Sequence, residues 1–310
     1  MKNPVNVLVA LCMLAAAIAS QGQEKKGSIT LSGAWAIYPT AVAWGEAFQK
    51  INPGVKIDVS AGGAGKGAAD AIAGLADIGM VSRDPDPAEI KKGILPVYVL
   101  HDAVFPVVSD KNPVLDELLE KGIKKKTWTD IYINGTVTKW DEVTGKKVNR
   151  PIHVYTRSDA CGAAASWAKF MGKKQEDLRG IGVYADPGLL EAARRDPIGV
   201  GYSNFSYVFT REGSLVTGIR LVPIDANNDG VADAGEAYAS RADAIKAIDG
   251  GTYPATRKNY LFVKGKPQGI VKAFIEFGLS DEGTKIVDEV GTSLPLSKEE
   301  RGRVLAEIQK

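Results

Sequence analysis

Ile152-His153-Val154-Tyr155-Thr156-Arg157-Ser158-Asp159-Ala160-Cys161-Gly162-Ala163 reads as a strand, 152–155, that runs into a charged turn and then into a helix. Trp167, Phe170 and Met171 mark one face of that helix. A helix that begins at such a turn points unpaired backbone N–H groups at whatever lies above it. Arg157 adds a planar, permanently charged fork suited to an oxyanion. Asp159 adds an acceptor beside it. Donors plus one carboxylate suit an anion that still carries a proton, which describes hydrogen phosphate better than sulfate. A plainer reading of the same residues stays open: Ser158 or Asp159 caps the helix and Arg157 pairs with Asp159.

The same device occurs twice upstream. Ser32-Gly33-Ala34-Trp35-Ala36-Ile37-Tyr38-Pro39-Thr40 follows a short apolar run. It precedes a helical pattern, Val42, Trp44, Ala47 and Phe48, that stops at Asn52-Pro53-Gly54. Val55, Ile57 and Val59 then alternate with polar residues, as in a half-buried strand. They feed Ala61-Gly62-Gly63-Ala64-Gly65-Lys66-Gly67, which opens a helix over 68–75. Such glycines let the backbone approach a ligand closely. Gly65-Lys66 lacks the upstream glycine and the following Ser or Thr of a Walker A loop, and the spacing is not a dinucleotide fingerprint. One glycine-rich loop says little, but three junctions of small residues together point to an anion held by helix starts.

In this order and spacing the chain resembles the periplasmic phosphate-binding protein of the bacterial phosphate ABC transporter, a solute-binding protein family. The resemblance runs from about residue 28 to the C-terminus. It is carried by Ser32-Gly33-Ala34 with Tyr38-Pro39, the glycine loop 61–67, Asp77-Ile78-Gly79-Met80-Val81-Ser82-Arg83 and Thr156-Arg157-Ser158-Asp159. Ile198-Gly199-Val200-Gly201-Tyr202, Tyr253-Pro254, Leu261-Phe262-Val263 and Val271-Lys272-Ala273-Phe274-Ile275-Glu276-Phe277 continue it. The resemblance implies an α/β, two-lobed periplasmic binding protein fold (type II-like) with the ligand cleft between the lobes. Lobe 1 is expected to combine 28–105 with 253–310, and lobe 2 to span 106–252. It further implies capture of inorganic phosphate or a related oxyanion for an ABC permease in the inner membrane, by a monomer, with no catalysis and no catalytic cofactor. Arsenate, molybdate and tungstate are the alternative ligands, and a transporter-independent envelope sensor or scavenger is the alternative role.

The family's ligand residues carry over unevenly. Arg157 and Asp159 match its arginine and the aspartate that accepts the phosphate proton, and Gly162 matches a backbone donor. Cys161 stands where the family usually has Ser, and Ala163 where it has Thr. In the first loop, after Ala36, Ile37 replaces a Thr and Tyr38 takes an aromatic position. Ala64, beside Gly65, sits where the second loop often has Ser, and Ser82-Arg83 matches a family variant near another contact. Each neutral hydrogen bond contributes roughly 0.5–1.5 kcal/mol net. Losing several hydroxyl donors would weaken phosphate binding or change the ligand, while the backbone donors keep the anion class.

Composition agrees with a two-lobed protein. The chain has 310 residues, 45% of them hydrophobic, a size at which one core usually splits. Its 39 basic and 37 acidic residues nearly balance, so nothing suggests a nucleic-acid surface. Lys124-Lys125-Lys126 reads as a solvated helix end. Lys2, the apolar run 5–17 and Ala17-Ile18-Ala19 read as a cleaved secretory signal, 1–19, implying a periplasmic location. Cys12 falls in that leader, which leaves Cys161 without a partner for a disulfide. Its place at a helix start would lower its pKa; packing as a small buried thiol is the other reading.

A second motif stands outside the family pattern. Asp225-Ala226-Asn227-Asn228-Asp229-Gly230-Val231-Ala232-Asp233-Ala234-Gly235-Glu236 has the ligand spacing of an EF-hand loop, with Gly230 at the sharp turn. Asp225, Asn227, Asp229, Asp233 and Glu236 would offer side-chain oxygens, and Val231 its carbonyl, to a structural calcium ion. A polar Asx-turn loop without metal is the alternative. Enzyme readings find little support. His101 and His153 are the only histidines, there is no Gly-x-Ser-x-Gly elbow, and Cys161 near His153 lacks an orienting partner.

Overall fold

A computed structural model describes residues 26–233 and 235–309, so the expected signal segment 1–19 lies outside the described residues. The chain opens with β1 (Gly27–Gly33), α1 (Tyr38–Ile51), β2 (Val55–Ala61), α2 (Ala64–Ala73), β3 (Ile78–Val81) and α3 (Pro87–Lys91). Strand β1 pairs in parallel with both β2 and β3, so Gly33, Ala61 and Val81 end along one edge. Helix α1 stops at Asn52, the residue before Pro53, where helical geometry is disfavoured.

β4 (Ile94–Ser109) follows, and the chain continues through α4 (Leu115–Lys121), β5 (Ile123–Lys124), α5 (Lys125–Thr129), a π-helical turn (Asp130–Asn134) and α6 (Trp140–Thr144). Next come β6 (His153–Arg157), α7 (Gly162–Phe170), a 3-10 turn (Gln175–Asp177), β7 (Ile181–Val183), α8 (Asp186–Arg195), β8 (Gly199–Asn204) and α9 (Phe205–Val208). The short β9 (Ile219–Leu221), β10 (Ile224–Asp225) and α10 (Arg241–Asp249) precede the return through β11 (Thr256–Lys264), α11 (Gly269–Gly278), α12 (Asp281–Val290), β12 (Leu294–Pro295) and α13 (Lys298–Gln309).

One sheet path, β2-β1-β3-β11-β4-β8-β6-β7, spans the molecule. The sequence reading expects strand material in two pieces around a crossover, at 96–99 and 103–108. The structure joins them into β4, a single strand of 16 residues. Residues 94–103 of β4 pair antiparallel with β11, and residues 104–108 pair antiparallel with β8. This one strand therefore belongs to both lobes.

Two hydrophobic cores lie on either side of that crossing. The first packs Ile29, Leu31, Trp44, Phe48, Phe262 and Phe274. The second packs Phe105, Trp128, Tyr132, Trp167 and Tyr202. Burying an apolar side chain of this size stabilises by about 1.5–3 kcal/mol. The second core also takes in Ala103, Val104, Phe105 and Tyr253, which the expected boundaries place in lobe 1. The unbroken β4 explains the shift, because it carries buried apolar residues straight through the crossing. Trp140 is fully buried, as expected of a core residue. Helices α11 and α12 bury Phe274, Ile275, Ile286 and Val287. Helix α13 is highly charged and buries only Val304 and Ile308. Lys125 and Lys126 are exposed at the start of α5. Among the described residues no helix is long and apolar enough to cross a membrane.

Candidate functional site

The three junctions meet at the seam between the lobes. Each follows the carboxyl end of a strand with a parallel neighbour, β1, β2 and β6, where α/β sheets place their ligand crevices. Arg157 ends β6, and its side chain is fully buried. Its Nε and Nη2 donate to the two oxygens of Asp159, at 2.8 and 2.5 Å. Its Nη1 lies 2.7 Å from Oδ1 of Asp186. Neither of those last two atoms has an aligned hydrogen bond among the described residues. Burial works against the Arg157 charge, but Asp186, Cys161 and Asp159 raise its pKa overall.

Sequence reasoning gives the ligand's proton to Asp159. The structure commits both Asp159 oxygens to Arg157, and Oδ1 also accepts the Ala185 N–H at 3.4 Å. Asp159 therefore orients the guanidinium. A carboxylate oxygen without an aligned hydrogen bond belongs instead to Asp186, a residue absent from the sequence reading, whose Oδ1 faces Nη1 of Arg157. It opens α8 just after β7, and burial pushes its carboxyl up while Arg157 and then Arg257 pull it down. Ala185, before it, adopts a left-handed φ of 64°, strain that a non-glycine residue rarely carries away from functional sites. The sequence signal was Asp186-Pro187, a charged residue with Pro in the first helical turn. It was masked because β7 has only three residues and its Ile181 is exposed.

Helix α7 supplies the backbone end of the site. Cys161 is its N-cap; its Sγ accepts the Ala164 N–H at 3.4 Å, and its own N–H donates to Gln175 Oε1 at 3.0 Å. Gln175 Nε2 donates in turn to the Asp159 carbonyl at 2.7 Å, so this side chain pins the turn. Gly162 and Ala163 then form the open end of the helix. The sequence reading lowers the Cys161 pKa by its helix start. Burial instead pushes the thiol up to about 12, against the pull of Arg157. Tyr202 supports the turn from below, accepting the Arg157 N–H at 3.1 Å and bonding Thr156 Oγ1 at 2.8 Å.

The opposite lobe contributes backbone and small side chains. Ala36 and Ala64 are buried at the starts of α1 and α2, and Tyr38 is half-buried. Ile37 is fully buried in the first core and its N–H bonds the Ala34 carbonyl, so its side chain packs rather than faces a ligand. Gly65 donates its N–H to the Ala160 carbonyl across the seam at 3.0 Å, which removes it from the expected ligand donors. Gly63 has a φ of 93°, and a Cβ there would lie 2.8 Å from Asp159 Oδ2. Ser82 presses on Gly162 so closely that a Cβ on Gly162 would sit 2.1 Å from Ser82 Oγ. Arg83, expected near the ligand, is forked onto Glu89 at 3.0 and 2.6 Å and helps to hold the start of α3. Tyr207 Oη donates to the Trp35 carbonyl at 3.1 Å, and Lys169 pairs with Asp84, so the lobes are closed on one another. At the crossing, Arg257 Nε donates to Asp102 at 2.9 Å and Nη2 bonds both Asp102 and Asn204, all three residues being buried.

The loop 225–236 lies apart, after β10. Asp225 and Glu236 are buried, whereas Asn227, Asp229, Val231 and Asp233 are exposed. The Gly230 N–H bonds Asp225 Oδ2 at 2.9 Å, and Glu236 accepts the Ala226 N–H at 2.8 Å. Asn227 Nδ2 reaches Asp229 and Asp233 at 2.9 and 3.0 Å. Among the described residues no three Asp, Glu, His or Cys side chains stand together as a ready metal cluster.

Comparison with known proteins follows this architecture. A phosphate-binding protein PstS of Bacillus subtilis (strain 168) is 27% identical over 315 residues, covering 96% of this chain and 96% of that protein. Protein SphX of Synechococcus elongatus is 26% identical over 288 residues, covering 87% of this chain and 78% of that protein. Among solved structures, a Clostridium perfringens protein with bound phosphate matches with a TM-score of 0.72 at 24% identity, covering 87% of this chain and 100% of that one. An ABC-type phosphate transport receptor from Vibrio cholerae matches at 0.64 and 20% identity, covering 86% and 100%. The family described as PBP superfamily domain matches residues 19–282, and with two α/β lobes closed over a buried arginine this chain belongs to the PBP superfamily.

Proposed function

We propose that this chain is an exported solute-binding protein that captures phosphate between its lobes for an ABC importer and carries out no catalysis. The observation that carries the reading is Arg157. Its guanidinium is buried where the lobes meet, oriented by Asp159, beside the open end of α7. A desolvated, oriented guanidinium next to helix N–H groups is a site for an oxyanion. Asp186, with an oxygen free of aligned donors, is suited to accept the one proton of hydrogen phosphate and to repel sulfate, which has none near neutral pH. The PstS relative, a phosphate-binding protein, supports phosphate as the ligand. Closure of the two lobes over the anion would give a permease one surface built from both of them.

A second oxyanion keeps a place through one specific observation. Cys161, Ala163, Ala64 and Ile37 stand where hydroxyl side chains would tune the site to phosphate, and Ile37 is buried in the core. Arsenate shares the shape and proton of hydrogen phosphate, whereas molybdate and tungstate are larger tetrahedral anions that carry no proton near neutral pH. Calorimetric titration of the protein with each anion and with sulfate decides between the readings. Phosphate binding one to one, well ahead of molybdate and tungstate, supports the first; the reverse order overturns it.

A further inference from the structure

We propose that the loop 225–236 is a calcium site that stabilises the second lobe, separate from the anion cleft. The spacing of oxygen ligands is one line of support. The independent one is Asp225. Its side chain is fully buried, its Oδ2 accepts the Gly230 N–H at the sharp turn, and its Oδ1 has no hydrogen-bond partner among the described residues. A buried carboxylate oxygen left without a hydrogen-bond donor is costly unless a cation meets it. Lys124 Nζ pairs with Oδ2 at 3.8 Å and also donates to the Asn228 carbonyl, which leaves Oδ1 as the unmatched oxygen.

The backbone around Asp225 is already turned as such an ion requires, and the acidic side chains would draw together around it on binding. Asn228 and Gly230 take left-handed φ values of 67° and 84°, which fold the chain back over Asp225. The Asp229 and Val231 N–H groups bond the oxygens of Asn227 and Asp229, and Glu236 reaches back to the Ala226 N–H. The Asn227 amide, bridging Asp229 and Asp233, puts the positive end of a dipole between two carboxylates. Calcium would replace that partial charge with a full one and draw in Asp225, Asp229, Asp233 and Glu236, the Asn227 oxygen and the Val231 carbonyl. The loop is tied to α4 through the Ala232 N–H and the Glu120 carbonyl, at 2.8 Å. Just beyond it Tyr238 packs edge-on against Tyr253, 4.9 Å away at the lobe crossing. Ordering the loop therefore stiffens the base of the second lobe.

The test is calorimetric titration of chelator-stripped protein with calcium chloride, with magnesium chloride as the control, alongside thermal unfolding. One calcium per chain, and a melting temperature raised by about 4 °C or more at 100-fold excess over the dissociation constant, are expected. Glu236→Gln and Asp229→Ala should each lose both effects. Asp229 is exposed, so its variant keeps the fold even where the buried Glu236 variant does not. Stripped wild-type protein that neither binds calcium nor changes its melting temperature overturns the proposal. So do Asp229→Ala and Glu236→Gln proteins that bind calcium like wild type.

Discussion

Oδ1 of Asp186 lies 2.7 Å from Nη1 of Arg157, and both side chains are buried. Two carboxylates therefore bracket one guanidinium, and they are not equivalent. Asp159 holds the fork through two donated hydrogen bonds, whereas Asp186 faces the third nitrogen without an aligned bond. The ordering is physical: Asp159 shares its turn with Arg157, while Asp186 reaches the site from the start of another helix.

Asp186→Asn should therefore change selectivity more than affinity. Phosphate binding should fall about tenfold, or ~1.4 kcal/mol, through loss of the proton acceptor. Sulfate binding should rise, because an amide can donate where the carboxylate repels. Burial raises the Asp186 pKa. Below that raised value the group carries a proton and donates, so wild-type sulfate affinity should increase as pH falls, while the Asn variant shows no such increase. Equal sulfate–pH profiles for the two proteins would remove Asp186 from the site.

Closure can be blocked at one atom. Because a Cβ at Gly162 would fall 2.1 Å from Ser82 Oγ and 2.2 Å from the Ser82 carbonyl, Gly162→Ala cannot adopt the closed form without displacement. The clash is between lobes, so an open form escapes it. The variant should keep its melting temperature within a few degrees but lose at least tenfold in phosphate affinity. X-ray scattering should show wild type, and not the variant, compacting when phosphate is added.

The lobe crossing rests on a buried ion pair. Arg257 and Asp102 face each other across β11 and β4, with Asn204 of β8 on the same guanidinium. Removing one partner of such a pair costs about 3–5 kcal/mol, because the other charge stays buried. Arg257→Leu should lower the urea midpoint accordingly. A midpoint unchanged from wild type would mean that the network adds nothing to the crossing.

Cys161 should behave as packing, not as a nucleophile. Its thiol is buried, with a pKa pushed up to about 12. Iodoacetamide at pH 8 should leave native protein unlabelled and label it after denaturation. Rapid labelling of the native state would show that the turn opens or that the thiol is ionised.

The anion junctions were legible because their signals are local. A strand, a small-residue turn and an amphipathic helix follow one another in the chain at Ser32, Ala61 and Arg157, and the structure places all three at one seam. Features made by distant partners were not legible. Polar His101 and Asp102 interrupt the apolar run of β4 and read as a break, yet Arg257, far along the chain, neutralises Asp102 inside a continuous strand. Asp186 joins Arg157 only because β7 lies beside β6. Arg83 sits next to a site residue in the chain, but Glu89 draws its side chain away.

The central claim is that a buried Arg157 at the closed seam binds phosphate, and calorimetric titration of phosphate-free wild type and Arg157→Ala tests it most directly. Charge-assisted hydrogen bonds of this kind are worth roughly 1.5–3 kcal/mol each. Wild type should bind one phosphate per chain. The variant, verified as folded by circular dichroism, should bind at least about 100-fold more weakly. Phosphate bound equally by both proteins, or by neither, would contradict the account.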